Sequence, residues 1–296
     1  MPEQKPSYFC PVKPPYITDQ FLQKFITEAL NEDVGDGDHS SLSAISEDAI
    51  SRARLLVKDN GVLAGMELAE KIFEQVDPRL KVNVLLKDGS SIKFGDIALT
   101  VEGPARSILT AERLVLNCMQ RMSAIATKAA HLKKLIAGTK AAILDTRKTT
   151  PNFRLLEKWG VVIGGGRNHR IGLYDMIMLK DNHIDMAGGI EQAIIRAKDY
   201  LRATNRQLAI EVETRNLKEV SEVLTIGGVD VVMLDNMSVE QMKEAVTMIG
   251  GKFKTEASGG ITEETIRSIA ECGVDFISVG ALTHSIKSLD LSLKAF

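Results

Sequence analysis

"LAIEVETRNLKEVSEVLTIGGVDVVMLD" runs from Leu208 to Asp235. Two short apolar runs, "LAIEVE" and "VDVVMLD", flank a segment whose apolar residues recur at helical spacing. Runs that short predict buried strands, and the three- and four-residue recurrence between them predicts a helix. Strand, helix and strand in one short span form a βαβ unit, the connection that makes neighbouring strands parallel.

The same alternation continues on both sides. "AAILDT" and "DMIMLK" precede the unit, and "FKTEAS" and "DFISVG" follow it. Helical patterns separate most of them: "GGIEQAIIRAKDYLRA", "SVEQMKEAVTMIG" and "TEETIRSIAECG". The strands recur every ~20–35 residues, the size of a βαβ unit. Such a series gives a parallel sheet, closed into a barrel or doubly wound. It is unbroken, and no dinucleotide fingerprint follows its first strand, which favours the barrel.

Upstream the rhythm differs. "DQFLQKFITEAL" (Asp19–Leu30) reads as a helix. "ARLLVKDNGVLAG" (Ala53–Gly65) reads as a hairpin turning at Asn60-Gly61. "KVNVLLKDGSSIKFGDIALTVEGPA" reads as further strands with a turn at Asp88-Gly89. A long helix follows over Thr110–Gly138, with Gly138 as its stop. This half reads as an antiparallel sheet with helices, an α+β layer domain. The expected organisation is an N-terminal domain over residues 1–115 and a barrel over 116–281. The tail 282–296, with its alternating "SLDLSLKAF", is expected to return as a strand to the first domain.

Composition narrows the function. The 296 residues are 44% hydrophobic and 26% charged, with a net charge of −2. That balance excludes a general nucleic-acid or membrane-surface binder. Aromatics make up 5%, too few for a single-strand stacking platform. No apolar run has the length of a membrane span. The N-terminal "MPEQKPSYFCPVKPP" lacks an apolar signal core and reads as an irregular, Pro-rich arm. The three cysteines, Cys10, Cys118 and Cys272, are scattered and lack metal spacing, which fits a reducing compartment and a cytoplasmic setting.

The predicted strand ends carry the chemistry. In order they are Thr146-Arg147-Lys148, Lys180-Asp181, Glu213, Asp235, Ser258-Gly259-Gly260 and Gly280. In a parallel barrel these ends share one face, and that face carries the active site. "AILDTRKTTP" (Ala142–Pro151), which on its own reads equally as a solvated loop, thereby becomes a site segment. "IGGGRNHR" (Ile163–Arg170) adds Arg167, His169 and Arg170 behind three glycines, which let the backbone approach a ligand closely or take positive φ. "MLKDNH" places His183 shortly after Lys180. A nearly neutral chain that gathers so many cations in one place is suited to a polyanionic small molecule, and Arg fits carboxylate or phosphate bidentately. The small residues of "EASGGIT" and "SVGALTHS" suit a phosphate held by backbone N–H groups. Glu213 and Asp235 have three open roles: Mg²⁺ ligation, hydrogen bonds to sugar hydroxyls, or stabilisation of developing positive charge. Glu211 shares the strand face of Glu213, as a barrel-interior partner or an ion-pair member.

In order, "DTRKTTPNFR", "EKWGVVIGGGRNHRIGLYDMIMLKDNH", "EVE", "VVMLDN", "EASGGIT" and "SVGALTHS" closely resemble the quinolinate phosphoribosyltransferases. "EDVGDGDHSS" (Glu32–Ser41) and "LTAERLVLNCMQRMSAIAT" (Leu109–Thr127) resemble that family's N-terminal motifs. The resemblance spans nearly all of the chain after residue 20. It implies an α/β sandwich followed by an incomplete α/β barrel. It also implies a Mg²⁺-requiring reaction of quinolinate with phosphoribosyl pyrophosphate that yields nicotinate mononucleotide, pyrophosphate and CO₂, a step of NAD biosynthesis. The more widespread phosphoribosyltransferases carry an acidic loop, which this chain lacks.

By the same resemblance, Thr146, Arg147, His169, Arg170 and Lys180 hold quinolinate. Arg113 reaches the site from a neighbouring subunit, which implies a homodimer with shared sites, or a hexamer. Lys148 sits by the pyrophosphate or the reacting ring. Glu213 and Asp235 face the ribose and its metal, which they meet through the substrate. Ser258, Gly259, Gly260, Val279, Gly280 and Ala281 bind the ribose 5-phosphate. Two departures stand out: Asn152 replaces a frequent Gly, and "LTIGGVD" is one residue longer than usual.

Two rival readings use the same residues. Lys180 at a barrel strand end is also where a Schiff-base aldolase places its lysine, although such an enzyme needs fewer arginines. A relative that binds a small anion without catalysis is the other.

Overall fold

The computed structural model describes residues 13–296. The N-terminal arm is outside that range over residues 1–12, and so is Cys10. Along the chain the elements are α1 (Asp19–Val34), α2 (His39–Ala44), β1 (Ile50–Val57), β2 (Gly61–Val62), α3 (Met66–Val76), β3 (Lys81–Val84), β4 (Ser91–Ile92), β5 (Ile97–Pro104) and α4 (Ala105–Leu135). There follow β6 (Ala142–Leu144), α5 (Arg154–Ile163), β7 (Ile177–Leu179), α6 (Asp181–Ala187), α7 (Ile190–Thr204), β8 (Ile210–Thr214) and α8 (Leu217–Ile226). The chain ends with β9 (Val231–Asp235), α9 (Val239–Ile249), β10 (Lys254–Ser258), α10 (Ile266–Ala270), β11 (Phe276–Ser278), α11 (Ala281–His284) and β12 (Leu291–Ala295). Among the described residues, no helix is long and apolar enough to cross a membrane.

The first compact unit comprises residues 13–130, 155–165 and 285–296. Its antiparallel sheet has the order β12-β1-β5-β3. The alternation of β1 buries Ala53, Leu55 and Val57 on one face, and Ala53 and Leu55 lie opposite Val101 and Leu99 of β5. The tail strand β12 pairs antiparallel with β1. The boundary expected at residue 115 falls inside α4, whose residues to Ala130 belong to this unit.

The hairpin expected at Asn60-Gly61 does not form. β2 pairs with β4, through Gly61 opposite Ile92 and Val62 opposite Ser91. Neither Asn60 nor Gly61 has the positive φ that a two-residue type I′ turn demands. Gly61 is instead pressed against α4: a Cβ there would lie 2.3 Å from Thr127 Oγ1. That hydroxyl also accepts the Val62 N–H at 2.9 Å. Ser123 Oγ, one turn earlier, accepts from Ala64 N–H at 2.9 Å. Tertiary hydrogen bonds to α4 have overridden a local turn signal.

Within the triple glycine, Gly165 takes a φ of 84° and Gly164 serves packing. A Cβ on Gly164 would come within 2.3 Å of the Ala126 carbonyl oxygen. None of the three glycines lines the cavity described below.

The second unit comprises His131–Arg154 and Gly166–His284. Its six parallel strands have the order β6-β11-β10-β9-β8-β7. From β7 to β11, consecutive strands are neighbours, which is the succession of a barrel opened between β6 and β7. All six strands coincide with the expected segments. Parallel strands are covered on both faces, and β8 accordingly buries all five of its residues. The free edge of β6 is partly closed by an isolated bridge between Leu144 and Arg167. Asn152 has a φ of 62°, the left-handed conformation that Asn tolerates better than most residues.

Candidate active site

The C-terminal ends of all six strands of the second unit line one cavity of about 890 Å³. β6 and β7 are the outermost strands of the sheet, yet Arg147 and Lys180, which follow them, line the same space. The sheet must therefore curl, and the curl turns six separate strand ends into one site.

Every residue expected in the site lines this cavity except Arg113, which is exposed on α4 in the first unit. Two other cations named from the sequence are also absent from the lining. Arg167 acts through its backbone, donating its N–H to Ile143 O at 2.8 Å. His183 accepts the Lys180 N–H on Nδ1 at 3.0 Å and so caps the start of α6.

The cationic side is built on β6. Lys148 N–H donates to Thr146 Oγ1 at 3.1 Å. Thr283 Oγ1 donates to Lys148 O at 2.7 Å. Gly280 lets this turn come close, since a Cβ there would lie 3.1 Å from Lys148 Cδ. Arg147 Nε is buried without a hydrogen-bond partner. A buried unpaired donor costs about 1–3 kcal/mol, and an acceptor entering the cavity would relieve it. Burial, and then the charge of Arg147, lower the pKa of Arg170. Two guanidinium groups sharing one wall are what a dicarboxylate would relieve.

His169 joins this wall to the barrel interior. Its Nε2 lies 2.9 Å from Glu211 Oε2 and 3.5 Å from Glu256 Oε2. Its Nδ1 accepts the Arg170 N–H at 2.6 Å. With Nδ1 accepting, or with the ring charged because, against burial, Glu211 and Glu256 push its pKa up to about 9, Nε2 carries a proton that it donates to Glu211. A metal ion on Nε2 would have to displace that proton, so this cluster is a proton-bearing His169 hydrogen-bonded between carboxylates. Burial, opposed by the His169 hydrogen bond and reinforced by the charge of Glu256, pushes Glu211 up to about 7. Both roles left open for Glu211 are observed: it is a buried barrel-interior residue and it pairs with His169.

The acidic side is on β8 and β9. Glu213 is buried, and Lys180 Nζ lies 3.8 Å from its Oε2. Burial and then the charge of Asp235 raise the Glu213 pKa, while Lys180 opposes them. Two carboxylates that repel one another across a cavity suit a bound cation or a developing positive charge. Asn236 Nδ2 donates to Asp235 Oδ2 at 2.7 Å. Asn236 itself has a φ of 53°.

A third side, of small residues, is the turn after β10. Gly259 has a φ of +88°, and a Cβ there would lie 2.9 Å from the Asn236 backbone nitrogen. Only glycine meets both conditions. Glu256, Asn236 and His284 also line the cavity and were not among the expected site residues. Two of them had a visible signal: Glu256 shares the strand parity of Ser258, and Asn236 follows Asp235 directly.

Residues 38–123 match the family described as quinolinate phosphoribosyl transferase, N-terminal domain. Residues 125–294 match its C-terminal domain. The nicotinate-nucleotide pyrophosphorylase [carboxylating], chloroplastic, of Arabidopsis thaliana is 48% identical over 300 residues, covering 96% of this chain and 85% of that one. The quinolinate phosphoribosyltransferase [decarboxylating] 2b, mitochondrial, of Nicotiana tabacum is 47% identical over 298 residues, covering 96% and 84%. The crystal structure of NadC from Streptococcus pyogenes superposes with a TM-score of 0.89 at 39% identity, covering 94% of this chain and 97% of that one. With both domains matched in order and the predicted strand ends gathered at one cavity, the chain belongs to the quinolinate phosphoribosyl transferase family.

Proposed function

We propose that this chain transfers the phosphoribosyl group of phosphoribosyl pyrophosphate to quinolinate with decarboxylation. The products are nicotinate mononucleotide, pyrophosphate and CO₂, and the step serves de novo NAD biosynthesis. The observation that carries the reading is the polarity of the cavity. Arg147, Arg170 and Lys180 line it together with Glu213, Asp235 and the Ser258-Gly259-Gly260 turn. Diacid, activated sugar and phosphate each have a matching wall.

Thr146, Arg147, His169, Arg170 and Lys180 form the quinolinate subsite. His169 contributes to it chiefly by fixing Arg170, because both of its ring nitrogens are engaged within the protein. Ser258, Gly259, Gly260, Val279, Gly280 and Ala281 cradle the 5-phosphate. The ring nitrogen displaces pyrophosphate at the anomeric carbon, and positive charge builds on the sugar. Glu213 and Asp235 face that charge, and Lys148 faces the leaving group. Glu213 and Asp235 would hold Mg²⁺ through the substrate, and the ion, when bound, neutralises charge on the departing pyrophosphate. The ring nitrogen is then cationic and takes up the electrons released as the adjacent carboxylate leaves as CO₂. The protein has only to hold that carboxylate in place and away from water.

A shared-site homodimer in which Arg113 completes the neighbour's cavity is part of the proposal, as is a cytoplasmic setting. Buried, free Cys118 and Cys272 support a reducing compartment. The aldolase reading loses ground because Lys180 is half-exposed and paired with Glu213, not the desolvated amine that a Schiff base needs. Incubation of purified protein with quinolinate, phosphoribosyl pyrophosphate and Mg²⁺ should produce nicotinate mononucleotide. Binding of quinolinate without product would reduce the chain to an anion binder.

A further inference from the structure

We infer that Asp145, which does not line the cavity, is a positioning residue that sets the spacing between the two cationic arms of the quinolinate subsite. The inference rests on the function proposed above and goes beyond it by assigning a role to a residue outside the site.

The two arms leave opposite sides of Asp145. Arg147 lies two residues further along the same chain segment. His169 and Arg170 belong to a stretch that has no helix or ladder of its own and crosses the free edge of β6. Two backbone bonds bring that stretch to the edge: Arg167 N–H donates to Ile143 O at 2.8 Å, and Asp145 N–H donates to Arg167 O at 3.2 Å. Beyond Arg167 the Asp145 carboxylate takes over. Its Oδ1 accepts the His169 N–H at 2.9 Å. Its Oδ2 accepts from Asn168 Nδ2 at 2.6 Å. Asp145 is fully buried, so neither bond competes with solvent and both are stronger for it.

One carboxylate thus fixes where His169 leaves the β6 edge, and His169 fixes Arg170 through Nδ1. Quinolinate has two carboxylates on adjacent ring carbons, so its recognition depends on a fixed separation between Arg147 and Arg170. Both bonds of the Asp145 carboxylate run to the stretch that carries His169, not to the phosphoribosyl wall on β10 and β11. Asp145 should therefore govern one substrate and not the other, which a purely structural residue would not do.

The test uses the full-length enzyme and steady-state kinetics with each substrate varied. Asp145→Asn keeps the shape but sets an amide N–H₂ against that of Asn168. The KM for quinolinate should rise by about 10- to 100-fold, the cost of a buried hydrogen bond lost with its partner left unsatisfied. The KM for phosphoribosyl pyrophosphate should stay within about threefold. The swapped pair, Asp145→Asn with Asn168→Asp, restores the bond with its direction reversed and should return the quinolinate KM most of the way to wild type. If Asp145→Asn alone fails to fold, the swapped pair still decides the matter, because a folded swap with a wild-type-like quinolinate KM supports the inference. A quinolinate KM unchanged in Asp145→Asn, a parallel rise in both KM values, or a folded swap without recovery overturns it. An inactive wild-type enzyme would instead refute the proposed function.

Discussion

The Lys180 ammonium stands 3.8 Å from the Glu213 carboxylate, each at the end of a neighbouring strand. Lys180 is the group that opposes burial and the charge of Asp235 in setting the Glu213 pKa. Lys180→Met removes that opposition, so Glu213 will hold its proton to higher pH. If ionised Glu213 is needed for turnover, the acid limb of the kcat profile must move to higher pH. The pH profile of the variant's residual turnover at saturating substrate, set against that of wild type, checks this. A limb that stays in place, or moves to lower pH, removes Glu213 from the ionisation that limits turnover.

Arg147→Ala and Arg170→Ala should each weaken quinolinate binding by two or more orders of magnitude. Loss of a charged hydrogen-bond partner in a partly buried site costs roughly 3 kcal/mol. Arg147 contributes a buried donor with no partner of its own. Titration calorimetry with quinolinate alone measures the effect, and an affinity unchanged within about threefold overturns the assignment.

Gly259→Ala should impair phosphoribosyl pyrophosphate far more than quinolinate. The new Cβ would meet the Asn236 backbone nitrogen at 2.9 Å, and the φ of +88° is strained for any L side chain. The strain is on the order of 1–3 kcal/mol, and it falls on the turn between β10 and the phosphate wall. Separate KM values for the two substrates will show the asymmetry. Equal effects on both would mean that the turn supports the whole cavity.

Asp77 offers a test of stability independent of the site. Its carboxylate accepts from Arg79 Nη2 at 2.8 Å and from Ser107 Oγ at 2.7 Å. The Arg79 hydrogen bonds are the largest influence holding its pKa well below the usual carboxylate range. The folded pKa is depressed, so the stabilisation is complete above the unfolded value and is lost as pH falls through the folded one. Asp77→Ala should lower stability by about 2 kcal/mol near neutral pH. The gap should narrow below about pH 4, where the unfolded chain takes up the proton first. Urea unfolding of both proteins across that range measures it, and a gap constant with pH would refute the ion pair.

The barrel was legible because parallel strands covered on both faces are written as short apolar runs, and β6 to β11 each carry one. The site was legible because polar residues recur at the ends of those runs. What escaped reading depends on contacts distant in sequence. Asn60-Gly61 has the composition of a tight turn, but Thr127 holds Val62 instead. The glycines at Gly164 and beyond looked like a ligand loop, but Gly164 is there for the Ala126 carbonyl. The carboxylate partners of His169 lie 42 residues away at Glu211 and further on at Glu256. No local pattern reports either.

Arg113 can be examined without a crystal of the assembly. It is exposed on α4 and outside the cavity of its own chain. If it completes the neighbour's site, Arg113→Ala and Lys180→Ala lesions fall in different sites of a mixed dimer. One site of that dimer then carries both lesions, and the other carries none. Random reassortment of equal amounts makes half of the dimers mixed, so about a quarter of all sites recover. Each variant alone should be nearly inactive, and the reassorted mixture should reach about a quarter of wild-type activity. Reassortment must be confirmed with a tag on one variant, by recovering both chains together. Mixed dimers without regained activity would show that Arg113 serves its own chain or no site.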